Sequence, residues 1–382
     1  MMSCIKDNLV SRFKTLYSTT PEMFFSPGRV NLIGEHTDYN NGFVMPFAIN
    51  EGTFITIAKR DDNVVNIYSE NLDDSASFNI DKIKQELSNV WQNYVKGTIN
   101  IIKKEFSSNI KGADIYIFSN LPFGAGLSSS ASLNTVIAFA YNKIYKLNIS
   151  KLDLAKIAQK VEHNYIGTKC GLMDQMACIF SQENSAIMID CNNDAYKNIL
   201  FELDEVSILI ADTNIKHNLA ESAYNKRRQV CESIAKFNNI KSLRELNTQK
   251  LEHTKNIFYK EDYKLALHVF TENQRVVDAT KSMQSKDWKS LGKLMYQSHN
   301  SLKNDYKVSC DELDYLVDLS KEFDSVYGAR MTGGGFGGST IHLLPTKILK
   351  KYSNYLERKY FDKFNIKPTF YISKACQGTH QI

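Results

Sequence analysis

Between residues 22 and 80 the apolar side chains fall in short β-branched and aromatic runs. Phe54-Ile-Thr-Ile57 and Val64-Val-Asn-Ile-Tyr68, each bounded by turn formers, predict strands. The period changes over 81–106, where Val90, Tyr94, Val95, Ile99 and Ile102 recur near helical spacing and predict a helix. Ala113-Asp-Ile-Tyr-Ile-Phe-Ser119 returns to two-residue alternation, so a strand is expected there. It leads into a glycine- and serine-rich loop and then an apolar helix over 130–145. Ser150 is placed to cap a further helix reaching Tyr165. Strands are expected at 185–190 and 206–212, and helices from 217 to 325. An amphipathic helix is expected at 3–18, ended by Ser18-Thr-Thr-Pro21. The tail mixes a strand at 339–344, a lysine-rich helix at 346–362 and a strand at 369–373. The pattern is α+β, and its texture changes near residue 200, dividing the chain into 1–200 and 201–382.

Composition narrows the class. With 382 residues, 43% hydrophobic and 23% charged, the chain can build an ample core and two domains. The net charge of +5 is dispersed, and Lys226-Arg227-Arg228 is too short a cluster for a nucleic-acid partner. The seven cysteines, scattered from 4 to 376, include no CxxC pair, which argues against zinc or a disulfide framework and for a reducing, cytoplasmic setting. No apolar run approaches the roughly 20 residues that cross a bilayer, so no membrane is expected. No feature implies an obligate protein partner.

Three glycine-bounded stretches carry candidate chemistry. Residues 28–42, GRVNLIGEHTDYNNG, crowd Arg29, Glu35, His36 and Asp38 into one short segment. Such a cluster suits a small ligand rich in hydroxyls, although a polar surface turn with an ion pair has the same composition. Gly124-Ala-Gly-Leu-Ser-Ser-Ser130 lies between a strand and a helix, where free backbone N–H groups bind phosphate. It is neither a Walker A loop nor GxGxxG, and Ser128 or Ser129 capping the helix is the plain alternative. Gly333-Gly-Gly-Phe-Gly-Gly338 reads as a structural connection that buttresses a neighbouring site. Glu162 and His163 could sit on a solvated or packing helix face, Asp174 could be an ordinary first-turn acid, and Tyr224 a packing ring.

These stretches together resemble the signatures of the GHMP kinases, and the first is similar to that of the galactokinases in particular. The likeness runs from about residue 20 to the C-terminus. It implies two α+β domains with an active site between them, ATP as co-substrate and Mg²⁺ as cofactor. It further implies phosphorylation of the anomeric hydroxyl of D-galactose. By this resemblance Gly124, Ala125, Gly126, Leu127, Ser128, Ser129 and Ser130 form the phosphate loop, with Ser69 also on the nucleotide. Ser130 and Glu162 become the magnesium ligands. Asp174 becomes the catalytic base, with Arg29 beside it holding the carboxyl ionised. Glu35, His36, Thr37, Asp38 and Tyr224 become sugar contacts. N-acetylgalactosamine, arabinose and galacturonate remain alternative substrates. A non-catalytic sugar sensor is disfavoured, because Ser128–Ala131 and Asp174 are all present.

Overall fold

The computed structural model describes residues 2–87, 90–122, 124–202, 205–216 and 220–382. Its first sheet orders six strands as His380–Gln381, Glu22–Asn31, Pro46–Lys59, Ala113–Ser119, Val64–Ser69 and Asp74–Asn79. Only Val64–Ser69 against Ala113–Ser119 runs parallel. The last strand belongs to the far end of the chain, so the C-terminus returns to pair with the first strand at Phe24 and Phe25. A second sheet orders Gly328–Thr332, Gly337–Pro345, Val206–Lys216 and Thr369–Ser373, all antiparallel. A smaller sheet joins Phe43–Val44, Ser185–Asp190 and Ala195–Leu200.

One face of the first sheet buries Ile55, Ile57 and Ile115 against helices Val90–Glu105, Ser129–Ile144 and Lys151–Val161. The helix Met2–Tyr17 covers the other face, with Leu9 and Phe13 on Phe25 and Tyr116. A continuous core then joins the halves: Val30, Leu32 and Phe47 from the first pack with Ile208, Ile341 and Val276 from the second. Tyr352, Leu356 and Tyr360 of helix Leu349–Phe364 close the outer face of the second sheet. Among the described residues no helix is long and apolar enough to cross a membrane.

The expected elements are found, with departures at several points. The helix read over 81–106 begins only at Val90, with 88 and 89 outside the described residues. Asn93 explains why Glu86 does not join: its amide accepts from the Glu86 N–H at 2.7 Å and donates to the Glu86 carbonyl at 2.8 Å. Those bonds replace the ladder a helix would supply. The helix read to Tyr165 widens after Val161 into a π turn, Glu162–Ile166, a distortion that often marks function. Strand Ala195–Leu200 was not expected from its polar, largely exposed pattern. Residues 217–219, where the later helices were expected to start, lie outside the described residues.

Candidate active site

Arg29 sits where strand Glu22–Asn31 loses register with its neighbour, between Pro27 and Arg29. Such a bulge re-aims a side chain. Gly28 permits it, since a Cβ there would lie 2.6 Å from the Leu127 carbonyl oxygen. The Arg29 N–H donates to that same oxygen at 3.1 Å. Its guanidinium donates Nη1 to the Gly126 carbonyl at 2.7 Å, and Nε and Nη2 to the two oxygens of Asp174, each at 2.8 Å. Burial opposes the Arg29 charge, but Asp174 and Glu35 outweigh it and raise its pKa. One side chain therefore fastens the strand, the loop and the carboxylate.

Asp174 occupies the first turn of helix Met173–Phe180, on its positive end. Ser128 donates its hydroxyl to Asp174 Oδ2 at 2.5 Å. The capping alternative for Ser128 is thereby corrected: its backbone is left-handed, φ 61°, and its side chain caps nothing. Gly124 and Gly126, both at φ 75°, shape the rest of the loop. Ala125 is buried and its carbonyl accepts from Ser339 Oγ at 2.7 Å, while Leu127 is buried in the shared core.

The segment from Gly34 to Gly42 folds inward. Glu35 is 2% exposed and accepts the Gly333 N–H at 2.7 Å, with Arg330 Nη1 at 3.5 Å. Burial raises the Glu35 pKa, while Arg330 and Arg29 oppose it. His36, at φ 62°, is buried and kept neutral, its pKa pushed down to about 3 chiefly by burial. Asp38 is pushed up to about 7, first by burial and then by the charge of Asp174. Tyr224, on helix Ala220–Phe237, packs its ring 5.5 Å from His36. Together Arg29, Glu35, His36, Asp38, Asp174 and Tyr224 line a pocket of about 150 Å³. Elsewhere a cavity of ~150 Å³ admits a six-membered ring.

Thr37 does not line this pocket. It is wholly buried, with its hydroxyl 2.8 Å and 2.6 Å from the carbonyls of Gly34 and Phe43, where it pins the segment's own backbone. His163, half-buried, lies with Nε2 2.8 Å from the Cys170 carbonyl and braces the neighbouring loop. Thr168, Cys170, Met173, Gly333 and Gly334 also line the pocket and went unread as ligand contacts. Arg330 was missed too. Its signal was a lone charge in the fully buried strand Gly328–Thr332, where it donates Nη1 to the Asn31 carbonyl at 2.9 Å. Burial lowers its pKa, opposed by Glu35 and Glu272.

A second cleft of about 330 Å³ brings Ser69, Ser129 and Ser130 together with Trp91, Tyr94 and Leu133. Its apolar walls and hydroxyl-bearing end suit a flat aromatic base with a polar tail. The Ser128–Asp174 bond connects this loop to the smaller pocket. Glu162, buried on its π turn, lines neither cavity.

Comparison with known proteins gives this site a lineage. Residues 11–59 match the galactokinase galactose-binding signature, 93–182 the GHMP kinases N terminal domain and 279–359 the GHMP kinases C terminal region. Among curated relatives, a galactokinase of Clostridium acetobutylicum is 40% identical, covering 98% of both chains. A galactokinase of Mannheimia succiniciproducens is 39% identical over 98% of this chain and 99% of its own. The crystal structure of Lactococcus lactis galactokinase complexed with galactose superposes with a TM-score of 0.95 at 35% identity, covering 99% of this chain and 100% of that one. With three signatures in order and relatives aligned end to end, the chain has the two-domain GHMP kinase fold and belongs to the galactokinase family.

Proposed function

We propose that the chain transfers the γ-phosphoryl group of ATP to the anomeric hydroxyl of D-galactose, giving galactose 1-phosphate and ADP. The observation that carries this reading is the two-pronged Arg29–Asp174 pair on the wall of a pocket whose other polar groups are Glu35, His36, Asp38 and Tyr224. Full-length similarity to a galactokinase crystallised with galactose supports the choice of sugar. In this reading Asp174 takes the proton from the anomeric hydroxyl as its oxygen bonds to the γ-phosphorus. The bridging oxygen leaves with ADP. The transition state is loose, so alignment and charge matter more than full deprotonation. Arg29 fixes the carboxylate's orientation through two bonds and offsets charge on the transferring group. Glu35 and Asp38 accept from ring hydroxyls, and an epimer that misses them leaves a buried carboxyl without its partner.

The nucleotide base would lie between Trp91, Tyr94 and Leu133, with its phosphates toward Ser129 and Ser130 and Ser69 alongside. Ser130 and Glu162 offer oxygen donors of the hard kind Mg²⁺ prefers. Among the described residues no three His, Cys, Asp or Glu side chains stand together as a resident metal centre would require. A cation that arrives on the nucleotide would be held by Ser130, on the wall of the nucleotide cleft, with Glu162 as the second oxygen donor. Bound, it would neutralise charge on the phosphates. The six cysteines whose side chains are described are free thiols, which supports a cytoplasmic setting.

A coupled ADP-release assay across D-galactose, D-glucose, N-acetylgalactosamine, arabinose and galacturonate tests the reading. Galactose should give the highest kcat/KM and glucose a far lower one. A preference for any other sugar of the panel would overturn the substrate assignment.

A further inference from the structure

Both ring nitrogens of His36 are engaged. Nε2 lies 3.2 Å from the carbonyl oxygen of Gly334, and Nδ1 lies 2.8 Å from the Tyr39 hydroxyl. A carbonyl oxygen only accepts, so Nε2 carries the hydrogen. The ring is neutral, so Nδ1 offers a lone pair and the Tyr39 hydroxyl donates to it. The Tyr39 oxygen is then free to accept, and the Tyr306 hydroxyl, 2.8 Å away, donates to it. Tyr306 in turn accepts from the Cys231 thiol at 3.3 Å. One carbonyl thus orders four side chains, running from Cys231 through Tyr306 and Tyr39 to His36.

The members come from both halves of the chain. His36 and Tyr39 belong to the segment 34–42. Cys231 lies on helix Ala220–Phe237, Tyr306 closes the π turn Leu302–Tyr306, and Gly334 lies in the glycine turn. The Tyr306 and Tyr224 rings stand 4.8 Å and 5.5 Å from the imidazole and limit its rotation. Without the Tyr39 donor the other tautomer becomes accessible, and it would turn the Nε2 lone pair against the Gly334 oxygen. The ring or the glycine turn would then have to move. Movement of that turn matters because Gly333 and Gly334 line the same pocket as Glu35, Asp38 and Asp174.

We propose that Tyr39 and Tyr306 are positioning residues that fix the tautomer and orientation of His36, and through its bond to Gly334 the glycine turn on the wall of the sugar pocket. Only the effect on sugar affinity rests on the galactose reading; the tautomer does not.

The test is histidine nitrogen NMR on the full-length isotope-labelled protein near neutral pH, with the His36 signal identified by its loss in His36→Asn. Wild-type His36 should be the neutral Nε2–H form. Tyr39→Phe and Tyr306→Phe, which preserve ring packing, should shift it toward the Nδ1–H form. They should also raise KM for galactose about 5–30-fold with kcat held within about threefold, the scale of one buried partner left without its bond. Circular dichroism and thermal melting establish that each variant is folded. An Nδ1–H or charged His36 in the wild type overturns the proposal whatever the variants do. So do two folded variants with unchanged tautomer and unchanged KM, which would leave the tyrosines a packing role alone. A wild type inactive on galactose would instead overturn the substrate reading, and the relay would stand or fall on the tautomer.

Discussion

Asp174 accepts two parallel hydrogen bonds from Arg29, Nε to Oδ1 and Nη2 to Oδ2, each 2.8 Å long. The planar fork leaves the carboxylate one orientation. The Ser128 hydroxyl closes on Oδ2 from the phosphate-loop side. A base held this way acts through position.

Replacing it should therefore cost turnover more than binding. Asp174→Asn should lower kcat by about 10²-fold or more, the scale for a positioned general base. Arg29→Lys should also lower kcat, because a point charge cannot reproduce the fork. If the pair acts as a unit, the double variant loses less than the product of the two single losses. Steady-state kinetics on all three variants decide the matter, and near-normal kcat in Asp174→Asn would return that residue to a helix acid.

Ser128 separates loop shape from loop chemistry. Ser128→Gly keeps the left-handed backbone without strain and removes the hydroxyl, whereas Ser128→Ala removes the hydroxyl and keeps the strain. Both should lower kcat by roughly 10-fold, the loss of one hydrogen bond to a charged group. The alanine variant should also melt at lower temperature than the glycine variant. Equal kcat to wild type in both would show the 2.5 Å contact to be idle.

Gly171 probes how tightly the pocket wall is packed. A Cβ there would lie 2.2 Å from Asp38 Oδ2 and 2.4 Å from its carboxyl carbon. The Gly171 backbone has no left-handed strain, so Gly171→Ala acts through Asp38 alone. KM for galactose should rise about 10-fold as the carboxyl is displaced, the order of one lost hydrogen bond at a buried polar group. An unchanged KM would mean that Asp38 does not touch the sugar.

Asp38 also gives stability a pH dependence. Between its ordinary 3.8 and about 7 the carboxyl is ionised in the unfolded chain and neutral in the folded one. The folded state holds the extra proton there, so this contribution is full below the lower value, falls as pH rises through the window and is level above it. Asp38→Asn removes the slope. Thermal melts of both proteins should show the variant gaining on the wild type from acid to neutral pH. Parallel melting curves across that range would contradict a buried neutral Asp38.

Metal dependence tests the remaining pair. Ser130→Ala and Glu162→Gln should shift the Mg²⁺ titration of activity to higher concentration while the fold, read by circular dichroism, stays intact. Unchanged titrations in both would leave Ser130 a helix residue and Glu162 a buried packing acid.

Sequence alone determined the elements whose apolar spacing is local. Strand Ala113–Ser119, strand Thr369–Ser373 and helix Ser129–Ile144 emerge where two- and three-to-four-residue periods placed them. It also determined where chemistry gathers, because Arg29, Glu35, His36 and Asp38 lie within ten residues of one another, and glycines 124 and 126 advertise their turn. Partnership was decided only by the tertiary structure. Thr37 and Asp38 are adjacent and both polar, yet one hydroxyl faces Gly34 and Phe43 and the other side chain faces the pocket. Ser128 bonds Asp174 and caps nothing, and Arg330 reaches Asn31 across 299 positions of chain. Residue type fixes what a side chain can donate or accept. Which partner it meets depends on how two sheets and their helices pack around a shared core, and no local period encodes that.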